Sequence, residues 1–205
     1  MDYITDPKAI ETKSMEIIQG LIGDMGKSEE ELKIIKRVVH TTGDPEYAKL
    51  VEIHPEAIEL GKAALKKGCK IFTDVNMVKT GINARKLTEL GGEAICYINH
   101  PDIVAEAQQT GKTRAMTAMA RVASELDGNI LAIGNAPTAL FEVLEAVRSL
   151  GVKPALIVGI PVGFVGAAES KEALVESGLP YITVRGTKGG STITVSVLNA
   201  LLYMC

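Results

Sequence analysis

The apolar positions of this chain change their period part-way along it. Between residues 7 and 22, Ile10, Ser14, Ile17, Ile18 and Leu21 recur at helical spacing. A second helix is marked at its start. Ser28 followed by Glu31 is a capping box, and Leu32, Ile35, Val38 and Val39 supply the apolar face behind it. A third helix is expected from about Pro55 through Ile58, Leu60 and Leu65, with Gly68 as its stop.

From residue 70 onward short β-type runs alternate with helical stretches. The runs are Lys70–Thr73, Ala94–Ile98, Asn129–Ile133, Ala155–Ile160 and Tyr181–Val184. Between and after them lie helical candidates at Asn83–Leu90, Ile103–Gln109, Ala115–Leu126, Pro137–Leu150 and Lys171–Ser177. Strands separated by crossover helices pair in parallel, so the pattern predicts an α/β fold built on a parallel five-stranded sheet, with additional N-terminal helices. The final segment reads both ways, because Ile193, Val195 and Val197 alternate while Leu198, Leu201 and Leu202 follow a helix. Topology favours the helix. No repeat or Pro/Ser-rich linker interrupts the chain, and residues 1–205 are expected to form a single domain.

Composition narrows the function classes. The chain has no Trp and few other aromatic residues, which leaves little for base stacking, and its net charge of −3 gives no broad attraction for nucleic acid or anionic membranes. Without a signal pattern or a bilayer-length apolar run, the expected location is the cytoplasm. Cys69, Cys96 and Cys205 form no CxxC pair, which fits a reducing compartment.

The candidate chemistry lies in three loops that follow strands: Gly134-Asn135-Ala136-Pro137, Gly159 to Gly166, and Gly186-Thr187-Lys188-Gly189-Gly190-Ser191. In an open α/β sheet all three would share one edge, where helix N-termini offer N–H groups to anions and glycine lets a ligand approach the backbone. None has GxGxxG spacing or a P-loop ending. FMN or nucleotide binding at that edge is the alternative reading. Arg114 and Arg185 are suited to hold carboxylates, with Lys188 as a looser charge. His40 either ends its helix or serves as a general acid/base. His54 and His100 precede prolines and look like turn residues, so no metal site is expected from the scattered histidines with Asp44 or Asp74.

The segments Gly134-Asn-Ala-Pro-Thr-Ala-Leu140, Gly159-Ile-Pro-Val-Gly-Phe-Val-Gly-Ala-Ala-Glu-Ser-Lys171 and Arg185-Gly-Thr-Lys-Gly-Gly-Ser191 together resemble the precorrin-8X methylmutases, including the cobalt-precorrin-8 methylmutases. The likeness runs from Tyr3-Ile4 to the closing helix. It implies a flavodoxin-like three-layer α/β/α fold and a homodimer with its sites near the subunit interface. The implied reaction moves a methyl group from C11 to C12 of a corrin-type tetrapyrrole, with no cofactor of the protein's own; any cobalt is carried by the substrate. By the same resemblance His40 is the acid/base, and Ser14 and Arg114 contact the substrate. The expected substrate contacts in the loops are Asn135, Ala136, Thr138, Gly163, Arg185, Gly189, Gly190 and Ser191. Met77, Val162 and Val165 would rest against the ring faces. Thr187 departs from the basic residue expected there in relatives.

Overall fold

The computed structural model describes residues 4–205, so Tyr3 of the amino-terminal likeness lies outside the described residues. Six strands form one mixed sheet: β1 (Val51–Ile53), β2 (Lys70–Thr73), β3 (Glu93–Ile95), β4 (Ile130–Ile133), β5 (Leu156–Gly159) and β6 (Tyr181–Val184), in the order β1-β6-β5-β4-β2-β3. Neighbours from β6 to β3 are parallel, and β1 runs antiparallel on β6 with Val51 opposite Val184 and Ile53 opposite Ile182.

The all-parallel, five-stranded expectation is therefore corrected by one strand. The three residues Val51-Glu52-Ile53 are too few to show alternation, and they lie between a short helix, α3 (Tyr47–Leu50), and the His54-Pro55 turn. Pairing with β6, whose Thr183 lies 131 positions along the chain from its partner Glu52, makes them a strand; nothing local does. The run expected over Ala94–Ile98 also pairs only as far as Ile95.

Successive strand residues point to opposite faces, and each face has its own core. Ile130, Ala132, Leu156, Val158, Ile182 and Val184 meet α1 (Pro7–Ile22), α2 (Glu29–Thr42), α4 (Ala57–Lys66), α5 (Asn76–Gly81), α6 (Ala84–Glu89) and α11 (Ser191–Tyr203). Leu131, Ile133, Ile157 and Tyr181 meet α7 (Pro101–Thr110), α8 (Arg114–Val122), α9 (Pro137–Leu150) and α10 (Ala167–Glu176) on the other face. The closing segment is a helix whose strand-like alternation has a simple cause. Ile193, Val197, Leu198, Leu201 and Leu202 are all buried, and a helix covered nearly all round carries no clear amphipathic period.

The first helix forms where its periodicity places it, but its apolar stripe does not all face inward. Only Ile18 is buried, whereas Ile10, Ile17 and Leu21 are exposed. Because the five strands from β6 to β3 are parallel, the turns after β2, β4, β5 and β6 open at one edge. The chain's progress across the sheet reverses between β2 and β4, which is where such sheets bind ligands.

Candidate functional site

At that reversal Asp74, the residue after β2, is fully buried and accepts three consecutive backbone hydrogen bonds. Gly134 N–H donates to Oδ1 at 2.9 Å, while Asn135 and Ala136 N–H donate to Oδ2 at 2.8 and 2.9 Å. Burial pushes the Asp74 carboxyl upward, and the three donors pull it part of the way back. These N–H groups, expected to face an anionic ligand, thus already serve an internal carboxylate. Asn135 and Thr138 keep their side chains exposed at the edge, and Ala136 is half-buried. Gly134 has no room for a side chain: a Cβ there would stand 2.7 Å from Val78 and 2.8 Å from the Cα of Ser191.

The loops after β5 and β6 are joined through their backbones. Gly190 N–H donates to the Ile160 carbonyl at 2.9 Å and Gly163 N–H to that of Thr187 at 3.2 Å. Glycine at position 189 is required by this approach, since a Cβ would come within 2.5 Å of the Pro161 oxygen. Gly163, Gly189, Gly190 and Ser191 are therefore one structural unit. Gly166 and Gly190 cap α10 and α11 without a side chain, leaving those helix N-termini at the edge to other partners. Apolar side chains stand out from the same rim: Met77, Val162, Val165 at 89% exposure and Phe164 at 95%.

Two of the three cations beneath these loops are already paired. Arg185 makes a fork of hydrogen bonds to Glu52 of β1, whose carboxylate also accepts from Tyr181 Oη at 2.7 Å. Lys188 Nζ lies 2.8 Å from Asp44 and 2.9 Å from Glu46, over the ring of Tyr47. The third is Lys171 of α10, which is completely buried. Its Nζ donates to the Lys188 carbonyl at 2.7 Å, and burial alone brings it down to about 8.

His40 sits exposed in the last turn of α2, four residues before Asp44. The Asp44–Lys188 contact fastens that helix end to the loop after β6, bringing the imidazole's turn to the glycine-rich edge. A cleft of about 540 Å³ lies between α2, α5 and α11, lined by Arg37, Thr41, Met77, Ser191 and Thr192 among others; the neighbour of His40, Thr41, lines it and His40 itself does not. Ser14 is half-buried in α1 and donates to its own helix at the Ile10 carbonyl, 2.8 Å away. The Glu11–Arg37 bridge, 2.7 Å long, ties α1 antiparallel to α2, and Ser14 and His40 lie about one helical turn to either side of it. Arg114 stands apart. Exposed at the start of α8, it donates to Asn99 in the loop after β3, four strand positions and about 19 Å of sheet away from β6.

Sequence reasoning missed Lys171 and undervalued Asp74. The signal for Lys171 was present, because it falls between Ala167 and Leu174 on the buried stripe of its helix. An acid directly after an apolar strand was the corresponding mark of Asp74. Among the described residues no cluster of His, Cys, Asp or Glu is arranged to hold a metal ion, and no helix is long and apolar enough to cross a membrane.

Fold and edge together define a three-layer α/β protein with glycine-rich turns gathered at the carboxyl ends of its parallel strands. The family model for precorrin-8X methylmutases matches residues 9–204. A cobalt-precorrin-8 methylmutase from Methanocaldococcus jannaschii is 45% identical, covering 94% of this chain and 91% of its own, and a precorrin-8X methylmutase from Sinorhizobium sp is 43% identical, covering 98% and 96%. The crystal structure of a precorrin-8X methylmutase from Thermus thermophilus superposes with a TM-score of 0.89 at 40% identity, over 96% of this chain and 95% of that one. The chain belongs to the precorrin-8X methylmutase family, and it is an isomerase, a methylmutase of cobalamin biosynthesis.

Proposed function

We propose that the chain moves a methyl group from C11 to C12 of a precorrin-8 macrocycle, with His40 as the proton donor and acceptor. The observation that carries this reading is the rim itself. It combines glycine-rich backbone, uncapped helix N-termini and exposed apolar side chains with a histidine on a helix anchored to it. Peripheral carboxylates suit the first two, and the flat faces of a large ring suit the third.

A suprafacial 1,5-shift keeps every atom within the substrate, so neither an external methyl donor nor an electron carrier enters the balance. Proton transfer from the exposed imidazole near ring C favours the tautomer in which the methyl migrates, and the same nitrogen recovers the proton as the product settles. Orientation comes from remote groups: Asn135, Thr138, Gly163, Gly189, Gly190 and Ser191 at the rim, with Ser14 beside the helix pair. In this arrangement Arg185 binds a carboxylate by exchanging or sharing Glu52. Arg114 serves a more distant edge of the macrocycle. Cobalt, where present, arrives with the substrate.

The homodimer reading is supported by the exposed apolar side chains Ile10, Ile17 and Leu21 of α1 and Phe164 and Val165 of the loop after β5. A cytoplasmic enzyme fits the same picture. The FMN reading is disfavoured by Asp74, whose carboxylate occupies the N–H groups that a phosphate would need at the β2/β4 reversal.

The test is a visible-spectrum titration with hydrogenobyrinic acid and with cobyrinic acid, which separates the metal-free from the cobalt substrate, two readings that relatives of similar identity leave balanced. His40→Ala is expected to keep product affinity within about threefold and to lose turnover by about 10²–10⁴-fold. Wild-type turnover by that variant removes His40 from the mechanism, and failure of the wild type to bind either corrinoid defeats the assignment.

A further inference from the structure

Three ammonium or guanidinium groups belong to or pack against the loops after β5 and β6, and among the described residues one of them, Lys171, is paired with no carboxylate. Arg185 is matched by Glu52, and Lys188 by Asp44 and Glu46. Lys171 has 0% exposure and, among the described residues, its ammonium makes one hydrogen bond, to a neutral carbonyl. A buried cation without a counter-ion is costly, and mutation to an apolar residue of similar length is the cheaper solution if the group served packing alone.

We propose that Lys171 is a positioning residue for the methylmutase reaction: its buried ammonium holds the Lys188 carbonyl and lends an uncompensated positive charge to the Thr187–Ser191 loop, making that loop the seat of a substrate carboxylate. The inference rests on the assignment of this rim to an anionic macrocycle. Lys171 does not touch the ligand; it acts through the loop backbone and through its field, which is little screened in a dry interior.

Among the described residues, none of the charged groups on the elements around it pairs with it. Glu169 and Glu172 share its helix, α9 across from it carries Glu142 and Glu145, β6 carries Tyr181, and the loop carries Arg185 and Lys188. Glu142 pairs with Lys112, Glu145 with Arg148, and Tyr181 with Glu52. The hydrogen bonds that Lys188 donates to Asp44 and Glu46 raise its pKa above the usual lysine value, and burial pushes Tyr181 up to about 12. Burial brings Lys171 down to about 8, so in the free protein it is part-deprotonated around that pH. A carboxylate arriving on the loop favours its charged form, so binding takes up a proton from solvent.

Calorimetric titration of the full-length protein with hydrogenobyrinic or cobyrinic acid, in two buffers of different ionisation enthalpy, reads that uptake directly. At pH 8.5 the wild type is expected to gain a fraction of a proton on binding, and its affinity is expected to fall about tenfold between pH 7 and 9.5, the effect of a shift of one pKa unit. His40→Ala should retain the uptake. Lys171→Met should bind about tenfold more weakly at pH 7, with no uptake and a flat pH profile. If Lys171→Met fails to fold, Lys171→Arg takes its place, with binding kept and uptake lost because guanidinium does not titrate there. Uptake that persists in either Lys171 variant, or wild-type binding without uptake, overturns the role of Lys171 while leaving the function intact. A wild type that binds neither corrinoid overturns the function reading and this one with it.

Discussion

Replacing Asp74 by Asn tests whether the sheet reversal is held by charge. The amide has nearly the carboxylate's shape but only one acceptor oxygen. Set on the Oδ2 side, that oxygen keeps the donors of Asn135 and Ala136, and the NH₂ group then faces the N–H of Gly134, formerly 2.9 Å from Oδ1. One charge-assisted bond, about 1.5–3 kcal/mol, becomes a donor–donor contact, and the two that survive weaken to neutral strength. Against this, a buried negative charge no longer has to be desolvated, so a net loss of about 2–3 kcal/mol is expected. For a domain of this size that lowers Tm by roughly 4–12 °C. Thermal unfolding followed by circular dichroism at pH 7 is the assay. Asp74→Ala, which strands all three donors, must fall further still. A Tm for Asp74→Asn within about 1 °C of the wild type, or an alanine variant no worse than the asparagine one, refutes the argument.

Other expectations follow from the same geometry. Gly189→Ala drives a Cβ to 2.5 Å from the Pro161 carbonyl oxygen, so about 1–3 kcal/mol of stability should be lost, and corrinoid affinity with it, as read by denaturant melts and spectral titration. An unchanged melt would mean that the two loops are not stitched as described. Burial raises the Glu52 carboxyl, but the hydrogen bonds from Arg185 and Tyr181 and the Arg185 charge bring it below its usual value, so its contribution exists above the unfolded carboxylate range and disappears as pH falls through the folded one. The ion pair is partly exposed, and Glu52→Gln should cost no more than about 1 kcal/mol at pH 7, converging with the wild type near pH 3 in Tm measurements. A constant gap between the two across that range would show that charge is not what Glu52 contributes.

Local chemistry was legible in the sequence wherever neighbours in the chain are partners in space. The Ser28–Glu31 capping box closes in both directions, with Glu31 N–H on Ser28 Oγ at 3.2 Å and Ser28 N–H on Glu31 at 2.9 Å. The glycine-rich turns also fell on one edge as their place after parallel strands required. What the sequence could not disclose were pairings made across the fold. Arg185 is taken by a carboxylate 133 positions away, and β1 exists only through its ladder with β6. The helical period of α1 was right, yet periodicity says that a stripe exists and not what covers it. Three of its apolar residues face outward.

The grip of Asp44 and Glu46 on Lys188 means that the amino-terminal helices are no detachable appendage. A cut or deletion before residue 47 would strip the β6 turn of the carboxylates that hold Lys188 as well as removing His40, so the end of α2 and that turn stand or fall together. Engineering of one end of this chain has to be judged by what it does to the other.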